Sequence, residues 1–145
     1  MTAAAPALTG RAYDDITVGE VLPELAIPLT RTLIVSTAIA TRDFQDVHHD
    51  PELARERGSK DVFMNILTSN GLAGRFVTDW AGPHAALRRV KIRLGAPNYP
   101  GDTMTMTGEV VSKENGLVEL KVQGANSMGN HLSGTVTVAF AEGTR

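Results

Sequence analysis

Asp43 and His48, in the run ATRDFQDVHHDPELA (residues 40–54), are the side chains whose types and spacing best fit proton chemistry. A histidine with an ordinary pKa near 6.5, held beside a carboxylate, can take up and return a proton at neutral pH. Five residues of α-helix would turn the two side chains about 140° from each other. They can meet on one small molecule only if the segment between them is irregular. The flanks allow this: Asp50 can cap a helix, Pro51 suits its first position and Gly58 can stop it, so helix breaks fall at Arg42 and Asp50. The competing reading is a polar loop, since an acid and a histidine often share one by chance. A metal at His48, His49 and Asp50 is disfavoured, because neighbouring side chains rarely ligate one ion and no second cluster supports it.

The elements around this run must position it. Residues 21–33, VLPELAIPLTRTL, read as extended, with two prolines that suit an edge strand, and a short helix is expected from Ile34 to Thr41. The stretch NILTSNGLAGRFVTDW, Asn65 to Trp80, reads as the longest helix, with Leu72, Phe76 and Trp80 recurring every four residues. Gly71 and Gly74 each cost a helix about 1 kcal/mol relative to alanine, so a closely approaching sheet is expected to offset them. From Leu87 the period changes to two. LRRVKIRL, TMTMTGEVV, GLVELKVQG and LSGTVTVAF carry the strand signal, and Tyr99-Pro100-Gly101-Asp102 has proline and glycine at the centre of a type II turn. These segments predict a meander of about four antiparallel strands wrapped round the long helix, an α+β domain over residues 21–145 preceded by a flexible arm over 1–20.

A length of 145 residues suits one core. Hydrophobic residues at 42%, charged residues at 21% and a formal net charge of −2 describe a globular chain with no bias towards nucleic acid or an acidic membrane. The absence of cysteine excludes disulfides, thiolate catalysis and cysteine-ligated zinc, and fits a cytoplasmic address. No stretch reaches the roughly 18 apolar residues of a membrane span.

The quoted run resembles the signature of the MaoC-like, (R)-specific enoyl-CoA hydratases of the hotdog fold, a Gly-Asp-x-Asn-Pro-aliphatic-His string with a small residue six places after the histidine. Asp43, Val47, His48 and Ala54 fall on the matching places, and VKIRLGAPNYPGDTMTMTGEVV and HLSGTVTVAF are similar to the family's later strands. The resemblance implies that Asp43 and His48 hold a water and add it across the double bond of a trans-2-enoyl-CoA. It also implies that backbone N–H groups at the head of the long helix polarise the thioester oxygen, which makes Asn65 and Ile66 substrate-binding candidates. Arg42, Gln45 and Asp46 stand where the family usually has glycine, asparagine and proline, and Asn65-Ile66 replaces its usual His-Gly, with Asn65 still a good N-cap for the long helix. In this the chain is similar to the small catalytic subunits of actinobacterial heteromeric hydratases acting on steroid side-chain CoA thioesters. The implied partner is a second hotdog chain, as heteromer or homodimer; coenzyme A enters as part of the substrate, and no separate cofactor or metal is expected.

Arg89, Lys91 and Arg93 alternate on one strand and could meet coenzyme A phosphates, with Arg93 the candidate; a solvated sheet face is the preferred alternative. Ser69 has no histidine near it in sequence and reads as a packing residue. Two rival functions stay open: a thioesterase on the same fold, and a non-catalytic partner subunit.

Overall fold

A computed structural model describes residues 10–140. Its elements are β1 (Leu25–Pro28), α1 (Arg31–Ala40), α2 (Pro51–Glu56), α3 (Ile66–Ala81), β2 (Ala85–Leu94), β3 (Thr103–Glu114), β4 (Leu117–Asn126) and β5 (Gly129–Phe140), with 3-10 turns at Tyr13–Asp15 and Asp46–His48. This is the expected α+β arrangement, one antiparallel sheet packed against one long helix.

The strand order is β1-β3-β4-β5-β2, which corrects the expected four-strand meander. Only β3, β4 and β5 follow one another. Asn115 (φ 51) and Gly116 (φ 77) supply the two left-handed residues of a tight hairpin between β3 and β4. By contrast β2 lies on the far edge, paired with β5 from Ala85↔Phe140 to Leu94↔Leu132. The Gly95 and Ala96 amides extend that pairing by donating to the carbonyls of His131 (2.7 Å) and Asn130 (2.8 Å). Period-two patterning marks a strand but not its neighbour, so this crossover left no local signal. The expected edge strand is present as β1, which pairs with β3 at Leu25↔Met106.

The extended reading of residues 21–33 ends too late. Thr30 caps α1 through its hydroxyl, which accepts from the Leu33 amide at 3.0 Å, so the helix starts at Arg31 rather than Ile34. Nor are residues 10–20 a free arm: Ile16 is 1% exposed in the core, and Lys113 donates to its carbonyl at 2.8 Å. The remainder of the expected arm, residues 1–9, lies outside the described residues.

Helix α3 buries Leu72, Ala73, Phe76, Val77 and Ala81 against the sheet. Each large apolar side chain so buried is worth about 1.5–3 kcal/mol, which outweighs two helical glycines at about 1 kcal/mol each. Close approach holds for Gly74, where a Cβ would sit 3.3 Å from Leu87 Cδ2. It fails for Gly71, which is exposed with nothing within 4 Å. Among the described residues no helix is long and apolar enough to cross a membrane.

Candidate active site

Asp43 is delivered by the way α1 ends. Thr41 is the C-cap, and Arg42 follows in the left-handed region at φ 58. The Arg42 amide donates to the Ile39 carbonyl at 3.0 Å and the Asp43 amide to the Ala38 carbonyl at 2.9 Å, the paired bonds of a Schellman motif. The chain therefore turns sharply out of the helix at Arg42, and the next side chain points back towards the head of α3. Glycine suits this left-handed position because it has no Cβ to clash, which gives the physical sense of the place Arg42 fills.

His48 closes the turn Asp46–His48, and charge clamps that turn from outside. Asp46 takes a two-pronged ion pair from Arg57 at the end of α2, with Nε to Oδ1 at 2.8 Å and a terminal nitrogen to Oδ2 at 2.8 Å. The hydrogen bond from this guanidinium, with its charge, holds the Asp46 carboxyl below its ordinary value. Asp50 caps α2 as expected, its Oδ1 accepting from the amides of Glu52 (3.0 Å) and Leu53 (3.1 Å). Gly58 (φ 92) ends that helix. A second fork, Arg31 to Asp61 at 2.8 and 2.7 Å, ties the start of α1 to the segment leading into α3.

These devices bring the two expected residues together. His48 Nε2 lies 3.5 Å from Asp43 Oδ2, with the imidazole 9% exposed and the carboxylate partly open to solvent. His48 Nδ1 is 2.7 Å from the Phe63 carbonyl, and the Phe63 ring packs edge-on against the imidazole at 4.9 Å. A carbonyl can only accept, so Nδ1 carries the hydrogen and the neutral ring presents a lone pair at Nε2, beside the carboxylate. The arrangement can draw a proton from a molecule touching both groups. His49 takes no part, its Nε2 being 3.1 Å from the Phe44 carbonyl. Among the described residues no group of three or more His, Asp or Glu side chains is arranged to hold a metal ion.

Asn65 caps α3 as expected but does not offer its side chain to a ligand. It is 1% exposed; its Oδ1 accepts from the Thr68 amide (3.1 Å) and hydroxyl, and its Nδ2 donates to Thr41 Oγ1 (2.9 Å) and Asp43 Oδ2 (3.0 Å). Ile66 is 51% exposed, and the amides of Ile66 and Leu67 have no partner among the described residues, as the first turn of a helix requires. Arg93 is not brought to the pair. Val90 faces Gly74 of α3, so strand alternation turns Lys91 and Arg93 to the opposite, outer face of the sheet.

Sequence reasoning missed three supporting groups. The Phe63 carbonyl is backbone and leaves no residue signal, and Arg57 carries no signal beyond that of an exposed charge at a helix end. Ser69 does have a histidine, His131, 62 positions away: Oγ lies 2.8 Å from its Nε2, and Nδ1 is 2.7 Å from the Ala96 carbonyl. Both side chains are buried, so this pair ties α3 to β5 and presents no nucleophile.

Comparison with known proteins places this geometry. The MaoC like domain family matches residues 16–130. The chain is 53% identical over 125 residues to the 3-oxo-4,17-pregnadiene-20-carboxyl-CoA hydratase beta subunit of Mycobacterium tuberculosis, covering 86% of this chain and 97% of that one. Among solved structures it is similar to a chain of the ChsH1-ChsH2 complex from M. tuberculosis, with TM-score 0.84, 53% identity, and coverage of 86% and 98%. It shares the fold of R-hydratase PhaJ1 from Pseudomonas aeruginosa in its unliganded form, with TM-score 0.80 at 20% identity, covering 92% and 87%.

Proposed function

We propose that this chain, which belongs to the MaoC-like domain family, is the catalytic subunit of an enoyl-CoA hydratase that acts with a second hotdog chain on a bulky, steroid side-chain acyl-CoA. The observation that carries the reading is the 3.5 Å approach of Asp43 Oδ2 to His48 Nε2, the ring nitrogen that the Phe63 carbonyl does not engage. A water about 2.8 Å from both acceptors would see them roughly 80° apart, close enough to its two O–H directions to engage both. Neutral Nε2 then takes one proton as the water oxygen bonds to C3. The imidazolium, held beside the Asp43 carboxylate, returns that proton to C2, and the net change is the addition of one water.

Negative charge gathers on the thioester oxygen as C3 is attacked. The unpartnered amides of Ile66 and Leu67, at the positive end of the α3 dipole, are the groups proposed to meet it, so Ile66 contributes its backbone rather than its side chain. Arg93, on the outer face, has no part in this step.

Two observations support the partner. Phe44 (64% exposed), Ile66 and Leu67 leave apolar surface open beside Asp43 and Asn65. Val90, Ile92 and Leu94 of the edge strand β2 are only half-buried on their inward face, whereas Val118, Leu120, Val136 and Val138 are fully buried. The substrate class draws further support from the 53% identity to a subunit named for a pregnadiene carboxyl-CoA hydratase.

The test is hydration of a short-chain and a steroid-sized trans-2-enoyl-CoA, with and without a hotdog partner chain, followed as loss of the conjugated thioester absorbance and gain of 3-hydroxyacyl-CoA. Release of free thiol without hydroxyacyl product would replace this reading by a thioesterase. Absence of turnover in every combination would leave a non-catalytic subunit.

A further inference from the structure

We propose that Asn65 is a positioning residue for this reaction: its side-chain amide holds the Asp43 carboxylate in the orientation that faces His48. The inference rests on the role given to Asp43 and His48 above, and it assigns Asn65 a part other than touching substrate.

The orientation of the amide is fixed by its partners. The Thr68 backbone N–H can only donate, so the atom facing it must be Oδ1, and the atom facing Thr41 and Asp43 must be Nδ2. Both hydrogens of Nδ2 are then used, one on Thr41 Oγ1 at 2.9 Å and one on Asp43 Oδ2 at 3.0 Å. Asn65 thus joins the cap of α3, the last residue of the α1 turn and the carboxylate through one group that is 1% exposed.

Little else restrains the carboxylate. Among the described residues its Oδ1 meets only the Gln45 amide, at 3.4 Å, and the terminal torsion of an aspartate is broad and nearly two-fold. Without the Nδ2 donor, the carboxylate is free to swing Oδ2 away from His48. The titratable group facing Oδ2 is His48 itself, at 3.5 Å; the neighbouring cation Arg42 lies on the same segment and is exposed. A neutral amide donor therefore orients the carboxylate without competing for the proton.

Two variants of the full chain test this. Asn65→Ser keeps an N-cap oxygen for Thr68 but has no group to reach Asp43. Its kcat for hydration is expected to fall about 10- to 100-fold with KM little changed, the signature of a misaligned reacting group. Asn65→Asp also keeps the cap but turns the donor into a second carboxylate, so the acid limb of the kcat profile and the Asp43 carboxyl titration followed by carbon-13 NMR are expected to move up by about one pH unit or more.

The NMR reading needs no turnover, so it stands even if the chain hydrates nothing. Failure of the hydratase reading and failure of this one are thereby separated. Folded Asn65→Ser and Asn65→Asp proteins with wild-type kcat and an unmoved Asp43 titration overturn the inference. Should Asn65→Asp not fold, Asn65→Ser decides through kcat, or through its own Asp43 titration.

Discussion

Asp43 Oδ2 lies 3.5 Å from His48 Nε2, while the other nitrogen of the same ring is committed to the Phe63 carbonyl at 2.7 Å. One bond sets the tautomer and the other sets what the free nitrogen faces, so the pair can be dissected by choosing which atom to remove. Asp43→Asn keeps shape and removes charge, and is expected to lower hydration about 10²- to 10⁴-fold with a near-unchanged melting temperature. His48→Ala should lose as much activity and also about 1–3 kcal/mol of stability, because it strands a carbonyl that His48 had satisfied. His48→Asn can still donate to Phe63 from its amide nitrogen but offers nothing at the Nε2 position. It is expected to be more stable than His48→Ala and equally inactive. Turnover assays beside urea denaturation separate the two effects, and an active His48→Asn protein would remove His48 from the mechanism.

Arg42 carries a testable cost. At φ 58 an L-residue with a side chain pays roughly 1–2 kcal/mol relative to the right-handed helix, and glycine does not. Glycine also has more freedom to lose on folding, which returns about 0.5–1 kcal/mol of the gain. Arg42→Gly is therefore expected to leave stability unchanged or raise it by up to about 1.5 kcal/mol. Arg42→Val, branched at Cβ, should lower it by about 1–2 kcal/mol. Urea midpoints at constant slope measure the difference. Equal midpoints for the two variants would mean that the turn into Asp43 is not strained.

What could be read in advance divides along physical lines. Caps were legible because one side chain satisfies one local amide: Asp50 at α2 and Asn65 at α3 fall where the residues alone put them. The left-handed turn at Arg42 was not, because an arginine there gives no sign of positive φ. Strand pairing was half legible. The Asn115-Gly116 turn names its hairpin, whereas nothing local says that β2 must leave β3 and lie beside β5. Asp43 and His48 could be named from type and a family likeness, but their alignment depends on Asn65, Phe63 and Arg57, contacts made 11 to 22 positions away, in which backbone atoms count as much as side chains.

The glycines of the helix and sheet should separate cleanly by what surrounds them. Gly71 is exposed mid-helix with nothing within 4 Å of an added Cβ, so Gly71→Ala is expected to stabilise the isolated chain by about 0.5–1 kcal/mol through helix propensity alone. At Gly108 an added Cβ would sit 2.8 Å from Phe76 Cε1, and at Gly134 it would sit 2.0 Å from the backbone oxygen of Lys91. A ring can shift, but a paired strand cannot without losing its register. Gly108→Ala should therefore cost about 1–3 kcal/mol, and Gly134→Ala more than that. Thermal midpoints ordered Gly71→Ala, wild type, Gly108→Ala, Gly134→Ala are the expected result, and a Gly134→Ala protein as stable as wild type would contradict the β2–β5 register.

His131 predicts an acid weakness distinct from that of the carboxylates. Burial pushes its pKa below the ordinary 6.5, and the hydrogen bond to the Ala96 carbonyl only partly opposes this. In the unfolded chain the ring takes a proton near 6.5 while in the fold it stays neutral, so the unfolded state binds more protons just below that pH. The stability this contributes is complete above 6.5 and is lost as pH falls from there through the lowered folded value. Asp46, Asp61 and Asp102 are all held below 3.8, by Arg57, Arg31 and the Ser127 hydroxyl respectively, so their share is lost only as pH falls below 3.8. His131→Asn keeps a donor for Ala96 and leaves the Ser69 hydroxyl free to turn to the Asn65 carbonyl, 3.3 Å away. It is expected to be less stable overall because it is smaller, yet to have a flatter stability profile than wild type between pH 6.5 and 5, as measured by urea midpoints across the series. Parallel profiles in that window would mean that His131 is protonated in the folded protein, with Ser69 already donating to Asn65.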